Sequence, residues 1–288
     1  MISGTSTALI TPFRKDGSID EECLRRLVEF QEENGVTSMV PCGSTGESAT
    51  ISHEEHIEVI KIVVDHVKKA KVIAGAGSNS TSEAIALSKK AQDIGVDAVL
   101  SISPYYNKPT QDGIYEHYKA ISEAIDIPLV MYNVPGRTGS NISPETTLRL
   151  AELPGVAATK EASGNIDQIQ TILAGRPKDF LVLSGDDNLT FPMMALGAEG
   201  TISVASNCFP REVSDIVALC RSGKYEEARK IHLKMLPLFR SLFIESNPIP
   251  VKYIMKNMGF GTGTLRLPLT ELSAGNRKTI DGILKSMR

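Results

Sequence analysis

The sequence predicts an α/β fold, a (β/α)8 TIM barrel followed by a helical C-terminal extension. Three observations lead there. Eight short apolar runs rich in Val, Ile and Ala recur over the first two-thirds of the chain, without the alternation of strands that have one wet face. Between most of them lie segments whose apolar residues are spaced by three and four, as in helices packed on a sheet. After the eighth run only helical patterns remain. An open doubly wound sheet is the competing arrangement, and eight strand–helix units favour closure.

The candidate strands are 7–11, 36–42, 71–77, 96–103, 127–133, 156–160, 180–185 and 200–206. The clearest helical stripe runs through 52–69, where Ile57, Ile60, Val63, Val64 and Val67 share a face. The segments 20–34, 81–94 and 111–125 read similarly. Asp20, Ser52, Thr81 and Ser143 are expected N-caps, the last followed by Pro144 in the first turn, and Gly35 and Gly95 are expected stops. Four more helices are expected at 211–221, 225–243, 250–258 and 270–287. The first completes the barrel, so the expected division is a catalytic barrel over 1–222 and a helical region over 223–288.

Composition narrows the function. A chain of 288 residues, 41% of them hydrophobic, can bury a substantial core. Its 31 basic and 34 acidic residues leave a formal net charge of −3, with no long run of one sign, so no nucleic-acid footprint is expected. No segment approaches the roughly 18–20 apolar residues of a membrane span, and no basic stretch leads into an apolar one at the N-terminus. A cytoplasmic location without membrane attachment is the expectation. Cys23, Cys42, Cys208 and Cys220 lack any C-x-x-C spacing, which signals neither a disulfide framework nor a zinc site.

In such a barrel chemistry is built at the C-terminal ends of the strands. Those ends are unusually polar here, and one of them is a lysine. Lys160 closes the sixth run, where burying an unpaired ammonium is costly. It can escape to solvent, pair with a carboxylate such as Glu161, or remain as a neutral amine. A neutral amine attacks ketones, and the resulting iminium makes the adjacent carbon acidic, which allows carbon–carbon bond formation without a metal. Tyr132 ends the preceding strand and is the nearest proton shuttle, unless it is simply a packed aromatic. The Gly43-Ser44-Thr45-Gly46 turn can cradle a carboxylate with backbone N–H groups and hydroxyls, although such turns are common connectors. Arg137, just past Tyr132, offers a bidentate grip on a second carboxylate or is a solvated loop residue. Asp186 and Asp187 form the only acidic pair at a strand end, and capping accounts for them.

With these residues assembled, the chain resembles the dihydrodipicolinate synthases, part of the pyruvate-dependent class I aldolase family that includes N-acetylneuraminate lyase. The resemblance covers nearly the whole chain. It rests on 43–48 (GSTGES), 104–109 (PYYNKP), 132–139 (YNVPGRTG), 160–162 (KEA), 184–187 (SGDD) and 247–252 (NPIPVK). It implies a carbon–oxygen lyase that condenses pyruvate with L-aspartate 4-semialdehyde to 4-hydroxy-tetrahydrodipicolinate, in lysine and diaminopimelate biosynthesis. Lys160 would carry the Schiff base, so no cofactor and no metal are implied. Tyr132 would be the acid/base residue, relaying protons through Ser44 and through Tyr106 of a neighbouring subunit. Thr45 would hold the pyruvate carboxylate, Arg137 that of the semialdehyde, and Gly185 and Ile202 would line the pocket through their carbonyls. A homotetramer, a dimer of dimers, is implied. Two positions depart from the family pattern: Ser44 stands where threonine is usual, and Gly136 where serine is usual. The first loses the methyl that fixes a hydroxyl rotamer.

The resemblance also implies a lysine-binding allosteric site at Ser48, Ala49, His53, His56, Asn79, Glu83 and Tyr105. The residues alone read as a solvated helix start with Glu54 and Glu55 placed favourably at its dipole. Two other functions compete. One is a pyruvate lyase of a sialic or keto-deoxy sugar acid, against which Arg137 counts. The other is a non-enzymatic keto-acid-binding regulator, which has no use for Lys160, Tyr132, Tyr106 and a hydroxyl at 44 together.

Overall fold

A computed structural model describes residues 2–287. Eight strands, β1 (Gly4–Ala8), β2 (Ser38–Val40), β3 (Lys71–Gly75), β4 (Ala98–Ile102), β5 (Leu129–Asn133), β6 (Val156–Glu161), β7 (Leu181–Ser184) and β8 (Gly200–Ser203), form one closed parallel barrel. Closure is made by β1 against β8, in the register Gly4↔Gly200 to Thr7↔Ser203. That pairing removes the open-sheet alternative.

Each strand is buried on both faces, which is why none showed clean alternation. Val40, Ile73, Leu100, Val130, Leu183 and Ile202 point into the barrel. Their neighbours Met39, Val72, Val99, Met131 and Val182 point outward and join a larger core beneath the helices. The period of two therefore sorts residues between two apolar layers.

The helices around the barrel are α1 (Glu21–Glu33), α2 (His53–His66), α3 (Thr81–Ile94), α4 (Gln111–Ala124), the short α5 (Pro135–Thr138), α6 (Pro144–Ala151), α7 (Ile166–Gly175) and α8 (Thr190–Ala195). Asp20 caps α1 by accepting the Cys23 N–H, Ser52 and Glu55 form a reciprocal capping box on α2, and Ser143 caps α6 ahead of Pro144. Thr81 is not a cap. The cap of α3 is Ser80, and the Thr81 hydroxyl instead bonds His117 Nδ1 at 2.9 Å. Gly95 ends α3 at φ +95°, in the left-handed conformation of a helix stop.

The first strand lies three residues earlier than the run 7–11 suggested. Leu9 still bonds Val40 across the sheet, but the Ile10 N–H turns to the Asn207 side chain at 3.1 Å, and the chain leaves the ladder there. After β8, α9 (Pro210–Arg221) covers β1 and β8 as the last barrel helix. It is followed by α10 (Tyr225–Ser241), α11 (Ile249–Asn257) and α12 (Ala274–Met287). The last begins four residues later than 270, because Ser273 starts it, giving its carbonyl to the Arg277 N–H. The extension lies against the barrel: α10 packs on α9 and α8, and α11 on the 205–207 turn beyond β8.

Candidate active site

The β5–β6 register builds the centre of the site. Tyr132 pairs with Lys160 and Asn133 with Glu161, after a shift at Leu129/Val130. Residues in register on adjacent parallel strands face the same side, so Tyr132 and Lys160 enter the barrel together while Asn133 and Glu161 leave it. Glu161 is therefore no counter-ion for Lys160. Fully buried on the outside, it accepts Asn133 Nδ2 at 3.0 Å, the Ser163 N–H at 2.7 Å and Gln168 Nε2 at 3.3 Å.

Lys160 is 5% exposed, and its Nζ lies 4.1 Å from the centroid of the Tyr132 ring. Among the described residues no ion pair or hydrogen bond holds that nitrogen. Burial lowers its pKa from 10.5 to about 7; the buried Asp187 carboxylate pulls it back up, and Arg137 pushes it further down. The Tyr132 phenol is raised to about 12 by burial, and the charge of Arg137 and the Ser44 hydroxyl oppose that rise. Gly185, on β7's end, leaves room for the lysine: a Cβ there would sit 2.9 Å from Lys160 Cε.

These residues open into a cavity of about 260 Å³ that is continuous with solvent. Ser44, Thr45, Tyr132, Arg137, Lys160 and Gly185 all line it. Gly43 to Gly46 form a single 3₁₀ turn, and the N–H groups of Ser44 and Thr45 have no acceptor among the described residues. Such a turn beside a cation suits a carboxylate. Arg137, on α5, gives Nη2 to the Asn247 carbonyl at 3.1 Å and keeps its remaining donors for the cavity. Asp186 does cap the turn Asp187–Leu189, through the Asn188 N–H. Asp187 accepts the Val204 and Ala205 N–H groups at 3.1 and 2.9 Å.

Other expected positions fall elsewhere. Ile202 is fully buried in the inner barrel layer and is not among the residues lining the cavity, whereas Val204, two residues further along, is. Tyr106 is 88% exposed at φ +71° and does not reach its own cavity. Of the seven residues around α2 and α3, His53 and Glu83 pair at 2.9 Å, and Asn107 binds the Asn79 carbonyl beside Tyr105. Ser48 is half-buried, Ala49 and Tyr105 exposed. His56 is turned inward, its Nε2 against the Gly75 carbonyl at 2.6 Å and its pKa lowered by burial. Asn247, Asn188 and Phe243 also line the cavity, and sequence reasoning assigned them no part. For Asn247 the signal was present in the 247–252 motif. Among the described residues no group of three or more His, Cys, Asp or Glu could hold a metal ion.

The model of the dihydrodipicolinate synthetase family matches residues 1–287. The chain belongs to this family. A relative from Chloroherpeton thalassium, named 4-hydroxy-tetrahydrodipicolinate synthase, is 53% identical over 285 residues, covering 98% of this chain and 94% of its own. The dihydrodipicolinate synthase of Aquifex aeolicus superposes with a TM-score of 0.97 at 46% identity, over 99% of this chain and 98% of that one. The Acinetobacter baumannii enzyme, solved as a chloride-inhibited complex with pyruvate, gives 0.98 at 44% identity over 100% and 99%. Membership of the dihydrodipicolinate synthetase family thus extends over barrel and helical extension alike.

Proposed function

We propose that this chain is a 4-hydroxy-tetrahydrodipicolinate synthase that joins pyruvate to L-aspartate 4-semialdehyde through a Schiff base on Lys160. One observation carries the reading: a buried lysine amine with no ion pair among the described residues, poised over Tyr132 at the mouth of the barrel. An amine with a pKa of about 7 is substantially neutral at physiological pH, so Nζ can attack the keto carbon. Water leaves the carbinolamine as Tyr132 delivers a proton, and the iminium forms. Its methyl group then loses a proton to Tyr132, and the enamine carbon attacks the aldehyde. The semialdehyde's own amine displaces Lys160 from the iminium, closing the ring and freeing the enzyme. The balance is one molecule of water released.

In this scheme Ser44 passes protons between Tyr132 and Tyr106 of the partner subunit. The 44–45 turn holds the pyruvate carboxylate, Arg137 that of the semialdehyde, and Gly185 lines the pocket beside the lysine stem. No cofactor takes part, the barrel of 1–222 carries the covalent chemistry, and 223–288 completes the wall. A homotetramer in the cytoplasm that binds lysine around His53 and Glu83 extends the same reading.

Incubation with pyruvate and borohydride, followed by peptide mass mapping, tests the central step. A reduced pyruvyl adduct on Lys160, lost in Lys160→Ala, is expected. An adduct on another lysine, or none, overturns it. Comparing turnover of aspartate semialdehyde with cleavage of N-acetylneuraminate separates the synthase from a sugar-acid lyase.

A further inference from the structure

One stretch of the C-terminal extension grips the 43–47 turn at both ends. At one end Asn247 Nδ2 donates to Thr45 Oγ1 at 2.9 Å. Five residues on, the Lys252 ammonium pairs with Glu47, and the two side chains are 2% and 0% exposed. Glu47 follows the turn at φ +56°, a left-handed conformation that a glutamate keeps only when its surroundings enforce it. Its second carboxylate oxygen accepts the Arg266 N–H at 3.1 Å. Lys252 is fixed in turn, lying 4.1 Å over the Phe13 ring and donating to the Thr264 carbonyl at 2.9 Å. Arg266 covers the same ring at 4.4 Å and binds both oxygens of Glu55, the residue that closes the α2 capping box.

Neither Glu47 nor Lys252 lines the cavity. A buried ion pair is a poor source of stability compared with apolar side chains of the same volume, so a stability role alone leaves it unexplained. What it does geometrically is anchor the chain just past the turn whose peptide planes carry the Ser44 and Thr45 N–H groups. We propose that Glu47 and Lys252 are positioning residues, holding the 44–46 turn so that its free N–H groups meet the carboxylate of the keto acid. The proposal rests on the pyruvate reading of the cavity.

The test measures borohydride trapping of pyruvate against pyruvate concentration, with thermal unfolding alongside. Wild type decides the underlying reading: if it traps no pyruvate, that reading fails on its own account. Given trapping, Glu47→Gln keeps the shape and an acceptor for Arg266 but drops the charge that fixes Lys252. It should raise the half-saturating pyruvate concentration about tenfold, the scale of one weakened hydrogen bond to a charged group. The trapping rate at saturation should stay within about twofold, because Lys160 and Tyr132 are untouched. The double variant Glu47→Met with Lys252→Met removes both charges. It should recover most of the wild-type melting temperature and still show the raised half-saturation. Wild-type half-saturation in Glu47→Gln, or its return in the double variant together with stability, would overturn the proposal and leave the pair a packing element.

Discussion

Burial at Lys160 shifts the amine toward its reactive form and also burdens the fold. Its pKa in the folded chain is about 7, against 10.5 for a free lysine. Below the folded value the amine carries a proton and cannot attack, so the rate of pyruvate trapping should fall about tenfold per unit as pH drops under roughly 6.5, and level off above 7.5. A flat profile between pH 6 and 8 would count against the assignment. The stability sign follows from the same shift. Between about 7 and 10.5 the unfolded chain holds the proton that the folded chain has lost, so Lys160 destabilises the fold at neutral pH and ceases to do so as pH rises through that window. Lys160→Met should therefore melt several degrees higher at pH 7, with the gain shrinking toward pH 10. At this scale the sequence marked the lysine, the tyrosine and the arginine, because each ends or follows an apolar run. It did not assign Asn247 to the wall, since that side chain meets Thr45 across 202 positions of sequence. Nor did it expose the inward turn of His56, which depends on the Gly75 carbonyl waiting beneath it.

At the scale of elements, the barrel is closed by backbone in near contact. A Cβ on Gly200 would lie 2.1 Å from the Gly4 carbonyl oxygen and 2.7 Å from its nitrogen, with no flexible side chain to yield. Gly200→Ala should cost on the order of 3 kcal/mol or more, read from the denaturant midpoint, because β8 must shift away from β1. A near wild-type midpoint would mean the seam is softer than its spacing implies. Most strands were legible because a two-faced burial writes itself as an apolar run. Their ends were less so: Leu9 and Ile10 continue the apolar pattern after the ladder has stopped. The short α5 and the 3₁₀ turn at Ser44 carry no periodic signal, and both came to notice only through their polar residues.

For the whole molecule, the role proposed for Tyr106 sets how many chains make one site. A tyrosine 88% exposed at φ +71° and outside the wall of its own cavity is placed where a neighbouring chain could use it, as proposed above. If each site combines Lys160 from one chain with Tyr106 of the partner subunit, two defective variants complement each other. Lys160→Ala mixed in equal amounts with Tyr106→Phe should regain roughly a quarter of wild-type activity by random pairing in dimers. Activity no greater than the sum of the two parents would return Tyr106 to the surface. The seam between β1 and β8 has another consequence, in time. Its partners, Gly4 and Gly200, are separated by nearly the whole barrel, and at about 5–20 residues per second a ribosome takes about 10–40 s to make the second after the first. Throughout that interval the growing sheet has two unpaired edges, and each is a template for the wrong partner. The mature barrel offers no edge to a neighbour; its precursor must be kept from using the two that it has.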